Sequence, residues 1–496
     1  MLPGAGRRAA LGAAAAVGLA GPTALAFFSG GYFTPARTWA GLFAWALAAI
    51  CFALAPRPLP RSRGARIALA GLAGLAAWTL ASIAWAPIAG SAWDAGELAI
   101  LYVGALLAAA GLLRERLPRQ AVEPALAAGA AIVIGYGIAE RLVPGLLHYA
   151  RSISAQGRLE QPLTYWNAMG ELAALGFVLA VRIAGDATRP RPMRIAAAVA
   201  AVTLGLGVYL SFSRGALFAC AAGLVALVVL APSRVQLQAA VLAVAAGLLA
   251  SIAAAPFRSV THLAGPLATR ERDGAIVLAA LIVISGAAGL AAGRLTAHGR
   301  PDPPLHLPRR APVIALVVIC AGFGLAVALG AHESSAQPLA SGAARYETLQ
   351  SNRYAYWGVA LQAFASQPIR GVGAGGWAVW WLRHRTVNEG AQDAHSLELQ
   401  TLAELGLIGV ALLAALIAGT AVAARRALRA APVAAAGPVA ALVVYIAHSP
   451  LDWDWQMPAV TLVAVALAGL LLALADEPDG ISGRLAPAAP DGAARA

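Results

Sequence analysis

Apolar residues along this chain fall in runs of 17 to 25, separated by short polar segments rich in arginine, glycine and proline. At 1.5 Å rise per residue, a helix of that length crosses a hydrocarbon core about 30 Å thick. A backbone in lipid must satisfy its own hydrogen bonds, so each run is expected to be a helix. The pattern predicts fourteen spans, at 9–29, 38–55, 66–86, 95–113, 121–142, 163–183, 195–211, 215–231, 236–256, 275–293, 311–331, 400–424, 433–449 and 457–475. The pair 195–211 and 215–231 is short and joined by a tight turn. The expected fold class is all-α, a polytopic integral membrane helical bundle with one long extracytoplasmic loop containing short helices. Its organisation is read as N-terminal transmembrane helices over 1–159, a transmembrane core over 160–475 that includes the loop 332–396, and a disordered, Pro-, Ala- and Gly-rich cytoplasmic tail over 476–496.

Composition agrees with this pattern and sets the topology. Of the 496 residues, 60% are apolar and 12% charged, and lysine is absent, so orientation rests on arginine. With the N-terminus inside, Arg7 and Arg8, then Arg57, Arg61, Arg63 and Arg66, fall on the cytoplasmic side. So do Arg114, Arg116 and Arg119, and later Arg425, Arg426 and Arg429, whereas the short loops 87–94 and 450–456 carry none. This alternation satisfies the positive-inside rule in the inner membrane, leaves both termini cytoplasmic and turns the long loop outward. Arginines in that loop, and in 141–162 and 257–273, run against the bias and need another reason. The first 26 residues also have signal-peptide features, a twin arginine and an apolar run ending in Ala-Leu-Ala, but a second span follows at once and favours an uncleaved first helix. The net charge of +13 is dispersed over short inner loops, which fits anionic membrane lipids and excludes a nucleic-acid face. Cys51, Cys220 and Cys320 lie in separate apolar runs and read as small hydrophobes.

Candidate chemistry concentrates on the outer side, above all between Arg345 and Gly409. Arg214, in the small turn of SFSRGAL, carries a fork of donors suited to a phosphate or to lipid headgroups. Arg353 opens a short helix whose Tyr354, Trp357, Leu361 and Phe364 are expected to lie flat on the membrane, near the plane of lipid-borne phosphates. Arg345 and Arg370 are alternatives for the same duty. His395, at the mouth of a span, has the chemistry of a general base, with Glu398 one turn on as its orienting partner. Glu404 points the other way on a straight helix. GVGAGG, residues 371–376, lacks a preceding strand and reads as a turn that lets backbone pass closely. Trp377, Trp380 and Trp381 form either an interfacial belt or a sugar-stacking platform. Asn167 and Glu171, one turn apart, put a carboxylate inside a span, and His448, Asp452 and Asp454 edge the last outer loop. The remaining histidines show no metal-ligand spacing.

Four segments together resemble the O-antigen ligase and O-antigen polymerase superfamily of bacterial envelope glycan transferases. They are SRGALFACAAGLVAL, NRYAYWGVALQAFASQPIRGVGAGGW, AHSLELQTLAELGLIG and, more loosely, HSPLDWDWQMPAVTL, in the family's order over roughly 160–470. The resemblance implies a metal-independent, cofactor-free glycosyltransferase of polysaccharide biosynthesis. Such an enzyme moves a glycan from an undecaprenyl-diphosphate carrier to an acceptor hydroxyl on a glycan, lipid or protein. It implies further that Arg214 and Arg353 hold the diphosphate and His395 activates the acceptor; Asn167, Glu171, Arg345, Arg370, Trp377, Glu398 and Asp452 are the substrate-binding positions expected from the residues themselves. The chain departs from the pattern in Ser396, where the family usually has Asn, and in having about two more spans than typical ligases. A flippase for lipid-linked saccharide is the alternative; it needs charges along a path through the spans, where only Glu171 answers. A metal-dependent lipid-phosphate glycosyltransferase needs acidic residues in the first outer loop, and FFSGGYFTPARTW has none.

Overall fold

The structure is a computed structural model that describes residues 4–296, 305–332, 342–349 and 351–476. Helices occupy all fourteen predicted positions: α1 (Gly4–Ala26), α2 (Thr34–Leu54), α3 (Arg63–Ala81), α4 (Ala89–Leu112), α5 (Arg116–Leu142), α6 (Trp166–Gly185), α7 (Arg191–Leu210), α8 (Arg214–Leu230) and α9 (Arg234–Ala254). A single turn, α10 (Arg258–Thr261), precedes α11 (Leu267–Thr296) and α12 (Ala311–His332). The long loop contributes α13 (Arg353–Ser366) and α14 (Gly376–His384) before α15 (Leu397–Ala430), α16 (Pro432–His448) and α17 (Pro458–Leu474) close the bundle. Eleven of these are long and apolar enough to cross a membrane, while α8, α16 and α17 are apolar helices of 17 residues each. No strand occurs among the described residues.

The centre of the bundle is α6, in which every residue from Asn167 to Gly185 is buried against α5, α7, α8, α9 and α16. Protein, not lipid, is its solvent, which is why it tolerates a carboxylate. A second close contact joins α3 to α15 through small residues. A Cβ on Gly71 would lie 2.6 Å from the Leu416 nitrogen, and one on Gly419 2.3 Å from the Ala68 nitrogen. Helices approach this closely in lipid because packing, not hydrophobicity, drives their association. The opposite extreme is α12, which packs chiefly on α8 and presents Val313, Leu316 and Val317 outward.

Polar anchors fix both ends. On one face Arg182 pairs with Asp186 and Arg189 with Glu123. On the same face Asp476 accepts from the amides of Arg61 and Ser62 and pairs with Arg114 at 2.6 Å. Asp476, read in the sequence as the first residue of a disordered tail, is thus held; the rest of that tail lies outside the described residues. The other face gathers the segments 143–165, 211–213, 255–266, 342–396 and 449–457. There Tyr356, Val359, Ala360 and Ala363, at helical spacing on α13, pack on Trp377, Trp381 and Ala403. The packed stripe is therefore not the one expected from the sequence, and Leu361 from that stripe is exposed.

The GVGAGG turn pairs with a break in α15. The Val372 amide donates to the Ala403 carbonyl and the Gly373 amide to that of Glu404, while the Leu407 amide returns to Pro368. Gly406 adopts φ 63°, ψ −161°, a region only glycine occupies freely, and a Cβ there would sit 2.4 Å from the Ile369 oxygen.

Candidate active site

The site is built around Asp452, which the short loop between α16 and α17 buries completely. Five donors converge on its carboxylate. The Tyr165 hydroxyl, at the start of α6, donates to Oδ1 at 2.7 Å, and Asn167 Nδ2, in the first turn, to Oδ2 at 2.6 Å. The Arg353 guanidinium, placed by the first residue of α13, reaches Oδ2 at 2.8 Å. His395 Nδ1 lies 2.9 Å from Oδ1, and the Trp453 amide completes the set at 2.9 Å. Burial alone would raise this carboxyl; Arg353 beside it and the His395 bond outweigh burial and hold it well below the usual carboxylate range.

The protonation of His395 follows from that partner. An ionised carboxylate only accepts, so Nδ1 carries a proton; in the neutral imidazole Nε2 is then the nitrogen with a lone pair for another molecule. His395 adopts φ 51°, a left-handed conformation uncommon outside glycine, and its ring stacks on Tyr356 at 5.2 Å between centroids. Tyr356 is itself held by Glu389 at 2.6 Å. The next residue, Ser396, caps α15 by accepting from the Leu399 amide. Ser is among the strongest N-cap residues, which suits it to this position.

Arginines line the same face. Arg214 is the first residue of α8, donates to the Thr348 carbonyl, and so meets the segment that carries Arg345. That segment is fixed from the other side by the Tyr346 hydroxyl on the Tyr209 carbonyl at 3.2 Å. Arg158 was not singled out in the sequence beyond lying in a loop whose arginines oppose the charge bias. It is buried, donates to the Ala155 and Ser154 carbonyls, and lays its guanidinium 3.7 Å over the Trp166 ring. Burial and the like charges of Arg345 and Arg353 push Arg158 down to about 10, which leaves it cationic at neutral pH. Three guanidiniums in mutual electrostatic contact are a ready receptor for a polyanion.

Other sequence candidates are placed elsewhere. Glu398 does not orient His395; it accepts from the Ser449 hydroxyl at 2.8 Å and ties α15 to α16. Arg370 sits over Trp85, 5.7 Å from the ring centroid, rather than against the Asp452 cluster. Trp377 is fully buried in the loop's own core, parallel to Trp381, so it offers no sugar platform. Glu404 accepts from the Trp377 amide and supports the GVGAGG turn. Glu171 lies one turn below Asn167, in a second cluster with His448 and Asp454.

Residues 257–414 match the family model described as O-antigen ligase. The matched segment is similar to an O-antigen ligase domain. That segment spans α10 to the middle of α15 and contains Arg345, Arg353 and His395, while Arg158, Asn167, Arg214 and Asp452 reach it from outside the matched segment. This likeness, in an integral membrane helical bundle, supports a function of the O-antigen ligase or polymerase type in general terms. No curated protein matches the chain significantly.

Proposed function

We propose that the protein transfers a glycan from an undecaprenyl-diphosphate carrier to an acceptor hydroxyl at the outer face of the cytoplasmic membrane. The observation that carries this reading is the Arg353–Asp452–His395 arrangement, an oriented base beside a fixed cation on one carboxylate. The acceptor hydroxyl gives its proton to His395 Nε2 as its oxygen bonds to the anomeric carbon of the donor sugar. The bond from that carbon to the diphosphate breaks, and its electron pair leaves on a phosphate oxygen. Charge grows there, and Arg214, Arg353, Arg345 and Arg158 are the groups that stabilise it, with no metal on the reacting atoms. Asp452 keeps the imidazole in the reactive tautomer and stabilises the imidazolium that forms.

An apolar cleft of about 550 Å³ between α1, α2, α4 and α17 supports a lipid-borne donor. Its upper end includes Leu25 and Phe28, a few residues before Tyr32, whose ring packs on Trp453 beside Asp452. An isoprenoid chain in that cleft would bring its diphosphate to the arginines.

The test uses purified full-length protein with an undecaprenyl-diphosphate-linked oligosaccharide and an acceptor glycan, measuring released carrier diphosphate and extended product. Arg214→Ala, Arg353→Ala and His395→Ala should each lower turnover by at least about 100-fold, the range of one lost catalytic donor or base. Three active variants, or donor moved across liposomes with no bond cleaved, would refute the reading.

A further inference from the structure

Directly beneath the Asp452 cluster lies a second group of charged side chains that the transfer chemistry does not use. Glu171 belongs to α6, His448 ends α16, and Asp454 follows Asp452 by two residues; their exposures are 0%, 1% and 2%. His448 Nδ1 is 2.6 Å from Asp454 Oδ2 and 3.4 Å from Glu171 Oε2. One ligand atom from each of the three lies within 4.8 Å of the others. Yet four atoms of this small group, both Glu171 oxygens, Asp454 Oδ1 and His448 Nε2, have no hydrogen-bond partner. No arginine pairs with either carboxylate by an ion pair among the described residues, so the group carries two acids against one imidazole inside a helical bundle.

We propose that Glu171, His448 and Asp454 form a site for a divalent transition cation such as zinc or manganese. Two carboxylates, a neutral imidazole and a dication sum to zero charge, which a low-dielectric interior demands. Mixed oxygen and nitrogen donors suit zinc and manganese better than magnesium or calcium, which prefer oxygen alone. In a tetrahedral site with bonds of about 2.0–2.1 Å, ligand atoms lie roughly 3.4 Å apart. The Glu171–His448 separation already has this value. Asp454 meets it by a shift below about 1 Å, turning its unpartnered oxygen to the ion. The proton shared between His448 Nδ1 and Asp454 would be released as the ion binds, freeing Nδ1 as a ligand. The cation would not touch reacting atoms. It would tie α6 to both ends of the 449–457 loop and keep Asn167 in register with Asp452.

The experiment is metal analysis by mass spectrometry on full-length protein purified in detergent without chelator, with thermal unfolding before and after stripping. Zinc or manganese should be present near stoichiometry, and adding either to stripped protein should raise the midpoint by about 5 °C or more. Glu171→Gln and Asp454→Asn should lose the ion and the rise, while Glu115→Gln, at an exposed position, should keep both. Stripped and metal-loaded wild-type protein unfolding at one temperature would overturn the proposal, whatever the variants do. Metal held equally by Glu171→Gln and Asp454→Asn would mark an adventitious ion and overturn it too. Neither readout depends on glycan transfer.

Discussion

His395 and Glu398 show how helical spacing misleads at a helix mouth. Three positions apart on a helix, the two side chains would share a face, but His395 precedes the Ser396 cap with left-handed backbone and points toward the last loop instead. Its true partner is 57 residues away, a distance no local spacing can encode. Asp452→Asn retains the shape and removes the charge that Arg353, His395 and Asn167 require. Transfer should fall at least about 100-fold, and stability by about 3 kcal/mol, because a buried guanidinium loses its counter-charge. The pH dependence carries a sign. Since the folded carboxyl lies below its ordinary value of 3.8, its stabilisation is complete above that value and is lost only as pH falls through the lower folded one. Wild type and Asp452→Asn should therefore differ by a constant unfolding midpoint between pH 5 and 7, and converge only in strong acid. Arg158→Ala should raise the KM for donor roughly tenfold with little change in acceptor KM, as expected for one charge-assisted contact to phosphate, and kinetics with each substrate varied will read this.

At the scale of elements, the apolar runs were fully legible because length and burial in lipid leave the backbone one solution. The helix ends were displaced where polar caps extend beyond the apolar run, as at Arg63 and Arg116. Amphipathic reading of α13 failed for a different reason. Its neighbours are the rest of the loop and the start of α15, and Tyr356, Val359 and Ala363 bury against indoles and Ala403 rather than lipid. The break in α15 also carries no periodicity signal; only the glycine at 406 hints at it. Gly406→Ala should destabilise the fold by about 3 kcal/mol, since no other residue accepts that backbone and the Ile369 carbonyl occupies the Cβ position. Fluorescence-detected size exclusion after a temperature series will show the earlier loss of the folded peak.

Over the whole molecule, arginine distribution and packing tell one story. The segments holding the site share a face with Ile153, while Leu117 lies at the start of α5, near the Asp476 anchor. Both side chains are exposed, at 98% and 79%. In a background with the three native cysteines replaced, Ile153→Cys should react with a membrane-impermeant maleimide on intact cells, and Leu117→Cys only after permeabilisation. The reverse pattern would invert the orientation and remove the site from the cell exterior.

The enclosed position of α6 bears on biogenesis. Its carboxylate enters the bilayer long before α16 and the following loop are made, and at ~5–20 residues per second that wait lasts tens of seconds. A lone acidic residue costs about 2.5–3.5 kcal/mol to insert at a helix centre and less in the second turn, where Glu171 lies, and α6, with mean hydropathy 1.6 over its most apolar stretch, must offset it. Nascent chains stalled before His448 should thus leave Glu171 without α16 beside it, and be more open to proteolysis than the finished protein.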